Sequence, residues 1–87
     1  MPALKDEFES AVRRSKQLKV QPDNETLLEL YSYFKQSTAG DVSGERPGAF
    51  DFKARAKYDA WEGRKGMSKE TAMRGYVKLV NHLASRE

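Results

Sequence analysis

The feature that most constrains this fold is the absence of cysteine from a chain of 87 residues. A chain this short buries only about 60% of its unfolded surface, and neither disulfides nor a thiolate metal site can supplement so small a core. The single histidine, His82, argues against a zinc site as well. We therefore expect one domain over residues 1–87, without a bound metal, in which packing between regular elements supplies the stability.

Four segments have the apolar periodicity of helices, and no segment alternates as a strand would. Pro22 closes the first segment, and either Asp23 or Asn24 can cap the second. Asp51 is placed to cap the third segment and Ser68 to cap the fourth. The apolar stripes comprise Leu4, Phe8, Ala11, Val12 and Ser15; Leu27, Leu30, Tyr31, Phe34 and Thr38; and Ala72, Met73, Tyr76, Val77, Val80, Leu83 and Ala84. The sequence predicts an all-α, four-helix domain.

A glycine-rich segment separates the second and third helices. It begins at Gly40, where a left-handed backbone would end a helix, and residues 40–50 include three glycines and a proline. A connection of this length can cross the end of a bundle and leave its flanking helices roughly parallel. We interpret Arg46-Pro47-Gly48 as part of the architecture of this loop rather than as a ligand site.

Lysines and aromatic residues share faces of the predicted helices. Tyr31 and Lys35 are four residues apart on the second helix, and Lys53 and Lys57 have the same spacing on the third. Lysine pairs with phosphate as a point charge, and an aromatic face stacks on a nucleobase at about 1–3 kcal/mol. The full set is Lys16, Tyr31, Lys35, Lys53, Lys57 and Tyr76. If these faces converge, they suit a phosphorylated nucleotide.

A series of short motifs runs in order, without a gap in register, from Phe8 to Tyr76. The main runs are Tyr31-Ser32-Tyr33-Phe34-Lys35-Gln36-Ser37-Thr38-Ala39-Gly40-Asp41, Arg46-Pro47-Gly48, Arg55-Ala56-Lys57-Tyr58-Asp59-Ala60-Trp61, Lys65-Gly66-Met67-Ser68-Lys69-Glu70 and Ala72-Met73. This series resembles the acyl-CoA-binding protein family, and the chain length fits its single-domain members. The resemblance implies a four-helix bundle of up-down-down-up topology, with the long loop between helices 2 and 3.

The resemblance also implies a function. Members of this family bind medium- and long-chain fatty acyl-CoA without making or breaking a bond, and serve as carrier, buffer and pool former. The 3′-phosphate and adenine are held at the surface while the acyl chain lies in an apolar groove. Acyl-CoA is then a ligand, and no cofactor is expected.

Site residues follow from the resemblance position by position. Tyr31, Lys35 and Lys57 match residues that grip the phosphorylated ribose, and Tyr76 matches an aromatic residue near the nucleotide. The further matches are Lys16 and Lys53 in the coenzyme site and Leu28 and Ala56 beside the acyl groove.

Two positions depart from the family pattern. Phe34 stands where the family usually has tyrosine, so one phenolic hydroxyl of the phosphate site is missing. Tyr33 is a poor substitute because one residue along a helix turns about 100°. Tyr58 stands where tryptophan is usual. Neither change removes a positive charge, so we expect Phe34 to leave the phosphate site more dependent on Lys35 and Lys57.

The same residues have structural interpretations. Aromatic residues at helical spacing, such as Tyr31, Phe34 and Tyr76, usually fill a core, and isolated lysines are usually solvated. Trp61 is interpreted as a core residue and His82 as exposed or partly packed. The basic residues assigned to a solvated exterior are Lys5, Arg13, Arg14, Arg64, Lys65, Arg74 and Arg86.

Two other classes of function were weighed. A small nucleic-acid-binding domain would contact the nucleic acid through the third helix. Because Asp51, Asp59 and Glu62 would repel phosphates, no nucleic-acid partner is expected. The basic residues of that helix are Lys53, Arg55, Lys57 and Arg64. An acyl-CoA-consuming enzyme would need a nucleophile and base that the sequence does not offer.

The location and assembly of the protein are inferred from charge and hydropathy. The segment Met1-Pro2-Ala3-Leu4-Lys5-Asp6-Glu7 is acidic and lacks the apolar run of a secretory signal. No stretch approaches the roughly eighteen apolar residues of a membrane span. We expect a cytoplasmic monomer, without stable membrane insertion, that makes transient contacts with acyl-CoA-using enzymes.

Overall fold

The computed structural model describes residues 3–86 as four helices, with no strand in that range. The helices are α1 (Leu4–Ser15), α2 (Asn24–Thr38), α3 (Phe52–Glu62) and α4 (Lys69–Ser85). Met1, Pro2 and Glu87, the ends of the domain expected over residues 1–87, lie outside the described residues. The all-α fold class predicted from periodicity is confirmed.

Three of the helices begin at side-chain caps. The side chains of Asp23, Asp51 and Ser68 accept hydrogen bonds from the backbone N–H three residues on, at 2.8, 3.2 and 3.0 Å. Each bond satisfies an N–H that has no partner within the helix. The structure therefore selects Asp23 over Asn24 as the cap of α2. At the other end of α2, Gly40 has a φ of 83°, as expected of a glycine that terminates a helix.

The core lies between α1, α2 and α4. The rings of Phe8 and Tyr76 meet edge to face, with centroids 5.2 Å apart, and both side chains are buried. Burying such a side chain stabilises a fold by about 1.5–3 kcal/mol. The other buried apolar residues are Ala11, Leu30, Ala72 and Val80. Within residues 3–86, α3 contributes no buried residue and packs against α2 alone.

Contacts along α2 and α3 show that these helices run in the same direction. Tyr31 meets Lys57, and one turn further along both helices Lys35 meets Trp61. A connection that reverses direction would pair early residues of α2 with late residues of α3. The long loop thus leaves its flanking helices parallel, as its length predicts.

The helices α1 and α4 run antiparallel to α2. Phe8 of α1 lies beside Phe34, while Lys16 at the end of α1 lies near Leu27. The facing pairs of α2 and α4 are Tyr33 with Gly75 and Thr26 with Leu83. With α2 and α3 parallel, these directions establish the up-down-down-up topology.

Tyr33 marks the closest approach of α2 and α4. A Cβ atom at Gly75 would lie 2.5 Å from Cε1 of the Tyr33 ring, so only glycine fits at this distance. Arg64 covers the ring, with Cζ 4.0 Å from the centroid, and its Nε donates to Ser32 Oγ at 3.1 Å. The prediction of a solvated Arg64 was wrong, because its guanidinium is half-buried and fastens the end of α3 to α2.

The loop after α2 is tied to the turn before α4. The buried side chain of Gln36 donates from Nε2 to Asp41 Oδ1 at 2.9 Å and to the carbonyl of Met67 at 2.8 Å. The backbone N–H of Gly66 donates to the same carboxylate at 2.8 Å. These bonds, that from Gly66 above all, lower the pKa of Asp41. One carboxylate thus joins the two connections at this end of the bundle.

The same loop is fastened to α3. Trp61 Nε1 donates to the carbonyl of Gly40 at 2.8 Å, and Arg46 forms a bidentate pair with Asp59 at 2.8 and 2.7 Å. Trp61 is half-buried, so its assignment to the core was wrong. Arg46 has the loop-building role expected of it. His82 is exposed, within the range expected.

Over residues 3–86, no helix has the length and apolar character needed to cross a bilayer.

Candidate functional site

An apolar groove lies between the parallel helices α2 and α3. It encloses about 440 Å³. Leu28 and Ala56, which the resemblance placed beside an acyl groove, face each other across it, and Lys53 and Lys57 stand along its α3 side. The complete lining is Asn24, Leu27, Leu28, Tyr31, Phe52, Lys53, Ala56 and Lys57. We call this the α2–α3 groove.

A second recess, of about 300 Å³, opens on the α1 side of α2. Tyr31 and Leu27 line both spaces, so their side chains form the ridge between them. Lys16 stands exposed beside the recess at the end of α1. The lining is Val12, Ser15, Lys16, Pro22, Leu27, Leu30, Tyr31, Phe34 and Tyr76. We call this the α1–α2 recess.

Two ammonium groups lie at the seam of α2 and α3, each against an aromatic ring. Lys57 Nζ is 5.5 Å from the centroid of Tyr31, and Lys35 Nζ is 4.8 Å from the centroid of Trp61. Such cation–π contacts contribute about 0.5–1 kcal/mol at exposed sites. They orient each ammonium while leaving its N–H donors available.

Within residues 3–86, no carboxylate lies within salt-bridge distance of Lys35 or Lys57. In the part of the chain that the structure describes, the only ion pair within 4.0 Å joins Arg46 to Asp59. That contact lowers the pKa of Asp59, chiefly through the hydrogen bonds that the guanidinium donates. The positive charges of Lys35 and Lys57 are therefore free to meet an anionic ligand.

Tyr76 was interpreted both as a core residue and as a ligand contact, and its position is compatible with both. Its ring is buried in the core, but its hydroxyl reaches the α1–α2 recess and donates to Ser15 Oγ at 3.0 Å. Ser15 Oγ donates in turn to the carbonyl of Val12 at 2.7 Å. Because both hydroxyl protons are engaged, this edge of the recess offers a ligand lone pairs rather than donors.

Phe34 also belongs to both the core and the recess. Its half-buried ring lies 6.1 Å from that of Phe8 and 6.4 Å from that of Tyr76, measured between centroids. The exposed part of the ring lines the α1–α2 recess. Since a phenylalanine has no hydroxyl to donate there, the donors of this lining are the ammonium of Lys16 and the hydroxyl of Tyr31.

The structure brings every predicted site residue to one of these two spaces or to the seam of α2 and α3. The sequence analysis missed Leu27, Phe52 and Trp61 as parts of the site. Leu27 was read only as part of an apolar stripe. Trp61 follows Lys57 by four residues and so shares its helix face, which was a usable signal. Phe52 precedes Ala56 by four residues, which gave the same kind of signal.

The alternative of a nucleic-acid-reading helix is weakened by the same geometry. Arg64 turns inward onto Tyr33 and leaves the basic face of α3. Among the described residues, no group of three His, Cys, Asp or Glu side chains is placed to hold a metal ion.

Comparison with known proteins places this chain in a family. A model of the family "Acyl CoA binding protein" matches residues 5–80. The chain is 44% identical over 79 residues to "Acyl-CoA-binding protein homolog 1" of Caenorhabditis elegans, covering 91% of this chain and 92% of the relative.

Solved structures agree in fold. The crystal structure of Acyl-CoA-Binding Protein 2 of Oryza sativa superposes with a TM-score of 0.92 at 42% identity, covering 97% of this chain and 93% of the other. The crystal structure of ACBP from Moniliophthora perniciosa superposes with a TM-score of 0.89 at 38% identity, covering 94% of this chain and 81% of the other. The chain therefore belongs to the acyl-CoA-binding protein family, whose members bind their ligand without catalysis.

Proposed function

We propose that this protein binds medium- and long-chain fatty acyl-CoA thioesters without changing them, and acts as a carrier, buffer and pool former in lipid metabolism. The observation that carries the proposal is that the apolar α2–α3 groove is lined by Lys57 and lies close to Lys35, two lysines without an ion pair among the described residues. Leu28 in the groove and Lys35 at the seam are about 10 Å apart along α2, at 1.5 Å per residue. An apolar tail and a polyanionic head on one molecule match this arrangement.

The acyl chain occupies the α2–α3 groove in this proposal. Leu28 and Ala56 supply apolar surface on its two sides. Each buried methylene contributes about 0.8 kcal/mol. The thioester is thereby withdrawn from water, which explains how a carrier protects its cargo.

The phosphorylated ribose lies at the seam, where Lys35 and Lys57 neutralise its 3′-phosphate and Tyr31 offers a hydroxyl. Lys53 stands further along the same side of the groove and adds charge for the diphosphate. Charge-assisted hydrogen bonds of this kind each contribute about 1.5–3 kcal/mol.

The adenine occupies the α1–α2 recess, against the rings of Phe34 and Tyr76 and beside Lys16. The lone pairs of the Tyr76 and Ser15 hydroxyls suit the exocyclic amine of adenine, which is a hydrogen-bond donor. The ridge formed by Tyr31 then lies between base and acyl chain.

The protein acts as a cytoplasmic monomer and delivers its ligand through transient contacts with acyl-CoA-using enzymes. Its core is filled from within one chain by α1, α2 and α4, which supports a monomer.

Calorimetry tests the proposal directly. Free coenzyme A and its esters of increasing acyl length are titrated into the protein, and affinity is expected to rise with length until the groove is full. Equal affinity for coenzyme A and its long-chain esters would refute acyl binding. Native mass spectrometry of freshly purified protein gives an independent answer, because a co-purified ligand reveals both headgroup and chain.

A further inference from the structure

Two phenylalanine rings stand in solvent at the start of α3. Phe50 is 94% exposed and Phe52 is 77% exposed, on either side of the helix cap Asp51. Single exposed apolar residues are common, but aromatic rings normally bury 150–250 Å² each, in round figures. Two unburied rings within three residues form an apolar point, which we call the Phe50–Phe52 tip.

The tip lies at one end of the α2–α3 groove. Phe52 lines that groove together with Asn24, at the first residues of α3 and α2. Phe50 lies outside the groove lining, two residues earlier in the loop. The tip therefore lies beside one end of the groove. Lys35 and Trp61 lie towards the opposite end.

The charges that follow the tip are positive. Lys53, Arg55 and Lys57 lie in the first two turns of α3, and no carboxylate stands between Asp51 and Asp59. The carboxylate of Asp51 accepts a hydrogen bond from the N–H of Ala54 at 3.2 Å, and Asp59 is paired with Arg46. Among the described residues, none of these three cations forms an ion pair within 4.0 Å. Apolar rings bordered by such cations are typical of surfaces that lie on anionic lipid.

A second copy of the chain fits this tip poorly. A symmetric dimer would place Lys53 against its own counterpart, since each copy presents the same patch. Two rings also bury far less than the area of about 1,200 Å² that a stable interface needs. A bilayer, in contrast, accepts small wedges and supplies the opposite charge.

We propose that the Phe50–Phe52 tip docks this end of the ligand-free molecule on anionic lipid bilayers, with Arg55 and the unoccupied Lys53 and Lys57 over the headgroups. The inference rests on acyl-CoA binding as the function and adds where the ligand is loaded and released. The docked tip brings the groove opening to the edge of the hydrocarbon, so an acyl chain passes between bilayer and groove with little exposure to water.

Vesicle sedimentation tests the proposal. Ligand-free protein is mixed with vesicles of phosphatidylcholine and phosphatidylserine, or of phosphatidylcholine alone. We expect binding to the mixed vesicles that weakens with added salt, and Phe50→Ser should reduce the partition coefficient by about tenfold, given the burial of one aromatic side chain. The matched control is Val20→Ser, since Val20 is 71% exposed and lies outside the groove lining; this variant should partition as the wild type does.

Other outcomes overturn the docking proposal. It fails if wild-type protein does not sediment with mixed vesicles, or if Phe50→Ser and Val20→Ser sediment equally with them. A dimer detected by light scattering and dissolved by Phe50→Ser would show that the tip joins two copies instead.

Calorimetry without vesicles separates this proposal from the function on which it rests. Phe50→Ser should bind long-chain acyl-CoA as the wild type does, because Phe50 does not line the groove. If wild type and variant both bind acyl-CoA but neither sediments, docking fails while the function stands. If the wild type does not bind acyl-CoA, the proposed function itself fails.

Discussion

Lys35 Nζ lies 4.8 Å from the centroid of the Trp61 ring, while the indole Nε1 of Trp61 donates to the carbonyl of Gly40 at 2.8 Å. One aromatic residue therefore orients a charged side chain of α2 and also fixes the loop that follows α2. The position of the ammonium is coupled to the loop, which explains how a half-buried lysine is held at a defined point of the seam.

Replacing Lys35 tests the phosphate site. Lys35→Ala should weaken binding of a long-chain acyl-CoA by about 1.5–3 kcal/mol, the cost of one charge-assisted hydrogen bond. Titration calorimetry measures the change. Lys78→Ala is the matched control, because Lys78 is exposed on α4 and borders neither the groove nor the recess. Full affinity in Lys35→Ala would remove this residue from the site.

The missing hydroxyl at Phe34 can be restored. Phe34→Tyr should strengthen binding of coenzyme A by about 0.5–1.5 kcal/mol, the usual net contribution of one hydrogen bond. The gain should appear equally with free coenzyme A and with its long-chain esters, because the α1–α2 recess is separate from the groove. A gain restricted to the esters would contradict our placement of the nucleotide.

The contact between Gly75 and Tyr33 makes a prediction about stability. Alanine is favoured over glycine inside a helix by about 1 kcal/mol, but its Cβ would lie 2.5 Å from a ring that Arg64 holds from another side. We expect Gly75→Ala to destabilise the fold by about 1–3 kcal/mol, the range for overpacking. Urea unfolding measures this, with Gly48→Ala as control because nothing lies within 4 Å of a Cβ there. A stabilised Gly75→Ala would show that the helices separate without cost.

Asp41 predicts a pH dependence of stability. Its pKa is lowered in the folded state, first by the N–H of Gly66 and then by Gln36. A lowered pKa means that the contribution is fully present above the unfolded pKa of about 3.9 and is lost as the pH falls through the folded pKa. Asp41→Asn keeps an oxygen acceptor but removes the charge. In urea unfolding at neutral and acidic pH, its deficit relative to wild type should be present at pH 7 and shrink in acid. A deficit that stays constant with pH would show that the charge contributes nothing.

Hydrogen exchange tests how α3 is held. Because α3 packs against α2 alone and has no buried residue, its amides should exchange faster than those of α1, α2 and α4. Binding of a long-chain acyl-CoA should slow exchange in α3 more than in α4, since α3 forms a wall of the groove. Equal protection of all four helices in the free protein would contradict this.

Much of the fold could be predicted because its signals are local. The caps at Asp51 and Ser68 and the stripe of α4 depend on neighbouring residues, so α2, α3 and α4 were found close to their observed ends. The end predicted for the first helix was wrong, because α1 stops at Ser15, well before Pro22. Their arrangement was reached through the length of the loop and the family resemblance. Periodicity by itself does not say which helix faces meet.

The errors concern residues whose surroundings come from distant parts of the chain. Arginine is usually a surface residue, yet Arg64 is half-buried because Tyr33 and Ser32 of α2 lie beneath it. Tryptophan is usually a core residue, yet Trp61 is only half-buried because α3 lies outside the core. In each case the packing of α2 against α3 decided the environment. The loop length predicts the direction of these helices, but not which of their faces meet.

The absence of buried residues in α3 has a consequence for how the sequence of this protein can evolve. The residues that stabilise the fold lie in α1, α2 and α4, whereas one wall of the groove is built by a helix that the core does not constrain. Substitutions in α3 can therefore alter ligand preference at little cost in folding. Tyr58 shows how α3 is held from outside the core, since its hydroxyl donates to the carbonyl of Gly44 in the preceding loop.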